Sequence, residues 1–322
     1  RDVIVALAAA FEAGIRVGQA ATSHHLGGWH LTGTLGTVAA AAGSARLIRL
    51  DETQTTCALG IACTQAAGMQ QNRGSDCKSL HAGKSAYHGV LASMLASKGF
   101  NSSPEILEGS LGFTKIYSAT QQNDAITAGL GRTWMIAGNG YKPYACGVVL
   151  HPLIEAMIDV SRKTRQPAAD VGRVEVRVHP DVIRITGIDT PSSGLMSKFS
   201  ANHAAAVAYI DQAAGVAQFT NERSEDSAVQ ALRKLIRVTP DPSFRLDQSA
   251  AMVRTTSGAT YEAQIAHATG TVSNPMSDQA LREKFLGNAT PAIGADQARR
   301  VGDMIWKLET LGDVGELVRA CV

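Results

Sequence analysis

Nothing in this sequence marks a nucleotide, zinc-protease or serine-hydrolase site. It has no P-loop, no Gly-x-Gly-x-x-Gly after a strand, no His-Glu-x-x-His and no Gly-x-Ser-x-Gly. Cysteine is sparse: five residues, Cys57, Cys63, Cys77, Cys146 and Cys321, with no Cys-x-x-Cys pair. A structural zinc site is therefore not expected. The odd, scattered count fits a reducing compartment, so a cytoplasmic location is expected. Cys57 and Cys63 are expected to pack as small apolar residues in a helix. No basic cluster interleaves with aromatics and the net charge is +2, which excludes a nucleic-acid partner as the first expectation. No run of about 18 apolar residues occurs, so no membrane span is expected. The opening Arg1-Asp2-Val3-Ile4-Val5-Ala6-Leu7 lacks the shape of a signal peptide. It reads as part of a buried amphipathic helix, and the chain is expected to begin inside a domain.

What is present is an alanine-rich helical body. With 322 residues, 45% hydrophobic and 18% charged, the chain can bury a large core and form two domains. Helices are read at Val3–Ala20, Thr37–Leu47, from Asp51 to about Ala67, and Ala82–Ser97. Asp51 and Gln54 form an Asp-based capping box, and Lys98-Gly99 is a helix stop. Beyond Arg132 the pattern changes. Arg173–Val178 and Tyr261–Ala266 alternate as half-exposed strands, and helices are read at Val149–Ser161, Ala204–Ala214 and Ser227–Ile236. Ser277 or Asp278 caps a return to helix, followed by Gly294–Leu311. The fold class is mainly α with an α+β insert. Residues 1–135 and 277–322 form a helical domain, incomplete at its N-terminus, and 136–276 form a smaller α+β lid.

Two Gly-spaced polar segments interrupt the helical background: Gly28-Trp29-His30-Leu31-Thr32-Gly33-Thr34-Leu35-Gly36 and Lys78-Ser79-Leu80-His81-Ala82-Gly83. Glycine lets the backbone approach a ligand closely. His30 is read in a loop between helices, either as an acid/base that titrates near neutrality or as a loop histidine satisfying backbone groups. Lys78, read just before a helix, is a carboxylate clamp or a solvated lysine. His81 is a ligand contact or a helix-start residue, and His88 is structural. Lys142, stiffened by Pro143, is a second candidate clamp. His151 marks a helix start and is read as packing. Ser200 and His203 lie at the start of another helix, where polar groups can face a ligand. His24 and His25 read as a surface pair, His179 as exposed, and His267 as part of the second alternating strand.

These segments resemble the MmgE/PrpD family, which includes 2-methylcitrate dehydratase, cis-aconitate decarboxylase and iminodisuccinate epimerase. The matching pieces are Gly28-Trp29-His30 with Thr32-Gly33-Thr34, Ala58–Ala62 with Gln65–Gly68, and Lys78–Gly83. Gly99-Phe100, Ile106–Gly109, Lys142–Cys146 with His151-Pro152, Phe199-Ser200 and Asn274–Asp278 continue in order over nearly the whole chain. The resemblance implies an all-helical domain with an α+β lid, an active site in the cleft between them, and a homodimer without cofactor or metal. It places His30, Lys78 and Lys142 as catalytic residues and His81, Thr32, Ser200 and His203 as substrate-binding residues. Ser79 departs from a basic residue common in the family, and His203 stands where many members have Tyr. Family members carry a stretch ahead of this chain's Arg1 with a catalytic Asp and His, so the resemblance leaves three readings: a fragment, a processed form, or half of a split enzyme whose other half is a separate chain.

The implied activity is that of a lyase or isomerase on a small di- or tricarboxylate, such as dehydration of 2-methylcitrate to 2-methylaconitate. A base removes a proton α to a carboxylate while fixed cations hold the developing charge. The competing expectation is a non-catalytic or split-enzyme subunit that binds a carboxylate or a partner chain.

Overall fold

The computed structural model describes residues 1–322. It divides into two units: Arg1–Asn139 with Asp303–Ala320 and Val322, and Gly140–Gly302 with Cys321.

The first unit opens with α1 (Asp2–Ala20), α2 (Leu31–Leu47), α3 (Glu52–Gln65), α4 (Asp76–Ser97) and the short α5 (Phe113–Tyr117). Helix α2 packs against α1, α3 and α4. Its Val38, Ala41 and Ala45 are fully buried, because a helix of small residues lets its neighbours close in from several sides. Ser93 Oγ of α4 donates to Ala41 O at 3.0 Å, fastening the pair. The capping box at α3 forms: Gln54 N donates to Asp51 Oδ1 at 2.8 Å and Asp51 N donates to Gln54 Oε1 at 3.2 Å. Against the expectation from sequence, α1 is long and apolar enough to cross a membrane, by length and composition only, with a mean hydropathy of 1.5. In this fold α1 packs on α2 and holds a buried ion pair. Arg16 Nε donates to Glu12 Oε2 at 3.0 Å, and the same guanidinium donates to Ala128 O at 2.7 Å and Thr133 O at 2.8 Å. Glu12 Oε1 accepts from Met135 N at 2.5 Å and Ile136 N at 3.2 Å.

The second unit contains α6 (His151–Thr164), β1 (Val171–Val178), α7 (Pro180–Thr186), α8 (Gly194–Ser197), α9 (Ala201–Asp211), α10 (Asn221–Glu225) and α11 (Ser227–Arg233). There follow β2 (Ile236–Pro240), β3 (Ser249–Thr255), β4 (Thr260–Ile265), α12 (Asp278–Ile293) and the start of α13 (Ala295–Trp306); the end of α13, from Asp303, and α14 (Val314–Arg319) belong to the first unit. The strands form one mixed sheet of order β2-β1-β3-β4, with β1 parallel to β2 and antiparallel to β3. Val174, Val176 and Val178 on one face of β1 are fully buried, as the alternation requires. Helix α6 packs against α9, β3 and β4. Helix α9 is buried nearly all round, from Ala204 to Ala208 without exposure, the pattern of a core helix. The protein is therefore mainly α with an α+β part. Residues 277–302, read from sequence with the helical body, belong to the second unit. There Phe285 lies against Gly302, where an added Cβ would stand 3.3 Å from its ring.

Candidate active site

His30 is the residue that enters α2. Its backbone is extended (φ −88°, ψ 111°), and its N–H donates to Gly68 O at 3.0 Å. One residue earlier Trp29 bridges Met69, and Gln70 N donates to Gly28 O at 2.8 Å. This short pairing of 28–30 with 68–70 fixes where His30 stands. Two glycines permit it. Gly68 has φ +155°, and a Cβ there would lie 3.2 Å from His81 Nδ1; a Cβ at Gly33 would lie 2.4 Å from Ala67 O. The close approach brings His81, on α4, to His30: the two Nδ1 atoms are 2.8 Å apart and the ring centroids 5.0 Å. One Nδ1 must carry the proton and the other the lone pair, so both rings cannot be charged while this bond exists.

The surroundings enforce neutrality. His30 is pushed down from 6.5 to about 4, first by burial, then by Lys78, His81, His25 and Arg73. His81 is lowered by burial, Lys84 and Lys78. No carboxylate acts on either ring. Lys78 lies in the first turn of α4, where its charge adds to the positive end of the helix dipole instead of offsetting it. Lys84 Nζ donates to Gln65 O at 3.1 Å. Gln70 spans Arg73 and His25, with its Nε2 2.9 Å from His25 Nδ1. A cavity of about 530 Å³ is lined by Trp29, Met69, Gln70 and Arg73 among others. This is a neutral imidazole pair within a cationic field, an arrangement that attracts anions and keeps a proton acceptor unprotonated.

The second unit holds the other candidates. Lys142 Nζ donates to Cys146 O at 3.3 Å. Ser200 caps α9, its Oγ accepting from His203 N at 3.2 Å, and both residues are fully buried. His203 Nε2 is 2.8 Å from Gln218 O. His151 opens α6, buried edge-on against Tyr144 at 5.3 Å. Burial, then Lys142 and Lys284, push it down to about 3. No group of three or more His, Cys, Asp or Glu side chains is placed to hold a metal ion.

Comparison with known proteins bears on this geometry. The family model of the MmgE/PrpD N-terminal domain matches residues 1–125, and that of the MmgE/PrpD C-terminal domain matches residues 144–310. The chain belongs to the MmgE/PrpD family. It is similar to the cis-aconitate decarboxylase of Aspergillus terreus (strain NIH 2624 / FGSC A1156), 28% identical over 344 residues that cover 98% of this chain and 70% of that protein. It is also similar to the cis-aconitate decarboxylases of Mus musculus, 25% identical over 303 residues, and Homo sapiens, 24% identical over 300, each covering 90% of this chain and 62% of the relative. These relatives of the MmgE/PrpD chain are lyases.

Of the residues singled out from sequence, the structure brings His30, His81 and Lys78 together in the first unit. Thr32 is the second residue of α2, exposed, with its carbonyl accepting from Ser85 Oγ at 2.8 Å. Lys142, Ser200 and His203 lie in the second unit. Two local readings change. The segments Leu31–Gly36 and Lys78–Leu80 are helical rather than looped. Of the glycines in and after them only Gly33 is held by close packing, a Cβ there meeting Ala67 O at 2.4 Å, whereas Gly83 faces open space; His30 is a helix-entry residue and Lys78 sits inside a helix. His24, read as half of a surface pair, is buried, its Nε2 2.6 Å from Thr34 Oγ1 and its Nδ1 3.1 Å from Tyr117 O. His179 is not exposed but caps α7, accepting from Asp181 N at 3.1 Å. His267 lies beyond β4, 2.7 Å from Asp247 Oδ2. Sequence reasoning missed His25, Arg73 and Lys84 as members of the field; Arg73 and Lys84 lie five residues before and six after Lys78, but only the fold aims them at the histidines.

Proposed function

We propose that this MmgE/PrpD chain is a lyase acting on a small di- or tricarboxylate, with His30 as the group that exchanges a proton with the carbon α to a carboxylate. The observation that carries the reading is the Nδ1–Nδ1 pair at 2.8 Å inside a field without carboxylates. In the tautomer where His30 Nδ1 donates to His81, the lone pair of His30 Nε2 is available to a substrate proton. A pKa of about 4 keeps that lone pair unprotonated at neutral pH. Lys78, Lys84 and Arg73 supply the charge that offsets the carboxylates and the negative charge growing on them. In dehydration the α C–H proton passes to His30, its electron pair forms the C=C bond, and hydroxide leaves and is protonated to water. Lys142, in the second unit, is proposed as a carboxylate clamp.

The names of the relatives favour a second outcome of the same site. In decarboxylation the C–C electron pair stays on carbon as CO₂ leaves, and that carbon takes up a proton. A bound polyanion offsets the lysine field and raises the pKa of His30, so that it can carry the proton to be delivered.

The test is incubation of the full chain with cis-aconitate and, separately, with 2-methylcitrate, followed by proton NMR. Loss of CO₂ from the first or of water from the second supports the reading and chooses between its outcomes. Binding without turnover of either, or no binding, contradicts it.

A further inference from the structure

Lys142 is not alone in the second unit. Its Nζ reaches back to Cys146 O at 3.3 Å. The next residue, Gly147, donates its N–H to Lys198 O at 3.1 Å, so Lys198 is tied to the same turn. His151 follows that turn directly and is 2% exposed, and its Nε2 has no hydrogen-bond partner. A buried ring nitrogen left unpaired is costly, and such groups are otherwise nearly always satisfied.

The charges around this nitrogen have one sign. Lys142 and Lys284 both act on His151, Lys142 acts on Lys284, and Lys142 and Lys198 act on Cys146. No carboxylate acts on His151 or Lys284. The acid one turn along, Glu155, is engaged by Thr269 N at 2.9 and 3.2 Å. The Cys146 thiol, pushed up to about 12 by burial, stays protonated and supplies no counter-charge. Three lysines thus act on the groups of one turn, beside an unpaired imidazole nitrogen.

We propose that Lys142, Lys198 and Lys284, with Nε2 of His151, form a carboxylate-binding site around the Cys146–Gly147 turn of the second unit. The carboxylate oxygens accept from the ammonium groups, and His151, neutral, donates from Nε2. Lys198 and Lys284 thereby join Lys142 as determinants of affinity for polyanionic substrates. This rests on the reading that the chain handles polycarboxylates.

The test uses the full chain, citrate as the non-reacting probe and inorganic phosphate as the competing anion. The ring signals of His151, assigned through His151→Gln, are followed by NMR at pH 7. Citrate is expected to shift them saturably. Lys198→Gln and Lys284→Gln are each expected to weaken that response about 10-fold or more. Lys198→Arg and Lys284→Arg restore it, and Lys234→Gln, an exposed lysine of the same unit, leaves it unchanged. A misfolded variant is recognised by loss of the unliganded spectrum, and the Arg variants then decide. Citrate binding that is equal in wild type and in both Gln variants overturns this site while the lyase reading stands. Shifts with phosphate and none with citrate overturn it as a carboxylate site. A chain that neither binds citrate anywhere nor turns over cis-aconitate or 2-methylcitrate removes the lyase reading, and this site with it.

Discussion

Replacing Lys78 by Gln is expected to raise the pKa of His30 from about 4 to roughly 5, the smaller end of the shift that one nearby like charge produces. It is not expected to return to 6.5, because burial is the largest cause of the depression and the charges of His25 and Arg73 remain. His81, lowered in part by the same lysine, moves in the same direction. The two rings share a hydrogen bond, so the observed midpoints belong to the pair. The assay is an NMR titration of the histidine ring protons, nine histidines in all, with the His30 signal identified by its loss in His30→Gln. Saturating citrate is expected to raise the same midpoint in the wild type, since a polyanion offsets the cationic field. A wild-type His30 that titrates near 6.5, or a midpoint unmoved in Lys78→Gln, would refute the reasoning, because the field would then not reach the ring.

Other outcomes follow from the same structure. His24, His30, His81, His151 and His203 all have lowered folded-state pKa values, so the unfolded chain binds more protons as pH falls through 6.5. Stability is then complete above about pH 7 and declines toward pH 4; urea unfolding at pH 7, 5.5 and 4.5 reads this, and a flat profile contradicts it. Arg16→Met leaves Glu12 buried without its counter-charge, and about 3–5 kcal/mol of stability is expected to go; a loss below 1 kcal/mol by urea denaturation would show that the pair is replaceable. Gly33→Ala drives a Cβ to within 2.4 Å of Ala67 O, for a cost of about 1–3 kcal/mol and a displaced His30–His81 bond, seen as altered histidine shifts. An alanine variant with the wild-type melting temperature and spectrum speaks against that tight contact.

Features set by local chemistry were legible in the sequence. Asp51 and Gln54 announce their capping box, Ser277 its helix, and Arg173–Val178 its strand through strict alternation. The starts of α2 and α4 were not, because Gly33, Gly36 and Gly83 read as punctuation, whereas Gly33 is a helical residue held by its close approach to Ala67 O and Gly83 a helical residue facing open space. Strand β3 was hidden by Ala250 and Ala251, which have little β propensity, and β2 by its shortness and by Pro240, so Ile236 read as the end of a helix. In the site, His30, Lys78 and His81 stood out because they lie beside glycines. Arg73, Lys84, Lys198 and Lys284 did not, since nothing local distinguishes them from solvated cations. His24 was misjudged because its partners, Thr34 and Tyr117, are supplied by other helices.

The most direct measurement is turnover by His30→Gln beside the wild-type chain, on whichever of cis-aconitate and 2-methylcitrate the wild type converts. Gln keeps the shape and polarity of the residue but cannot exchange a proton. The expected result is a fall in kcat of about 10²–10⁴-fold, with citrate affinity and melting temperature little changed. Full turnover in His30→Gln would contradict the claim that this histidine handles the proton.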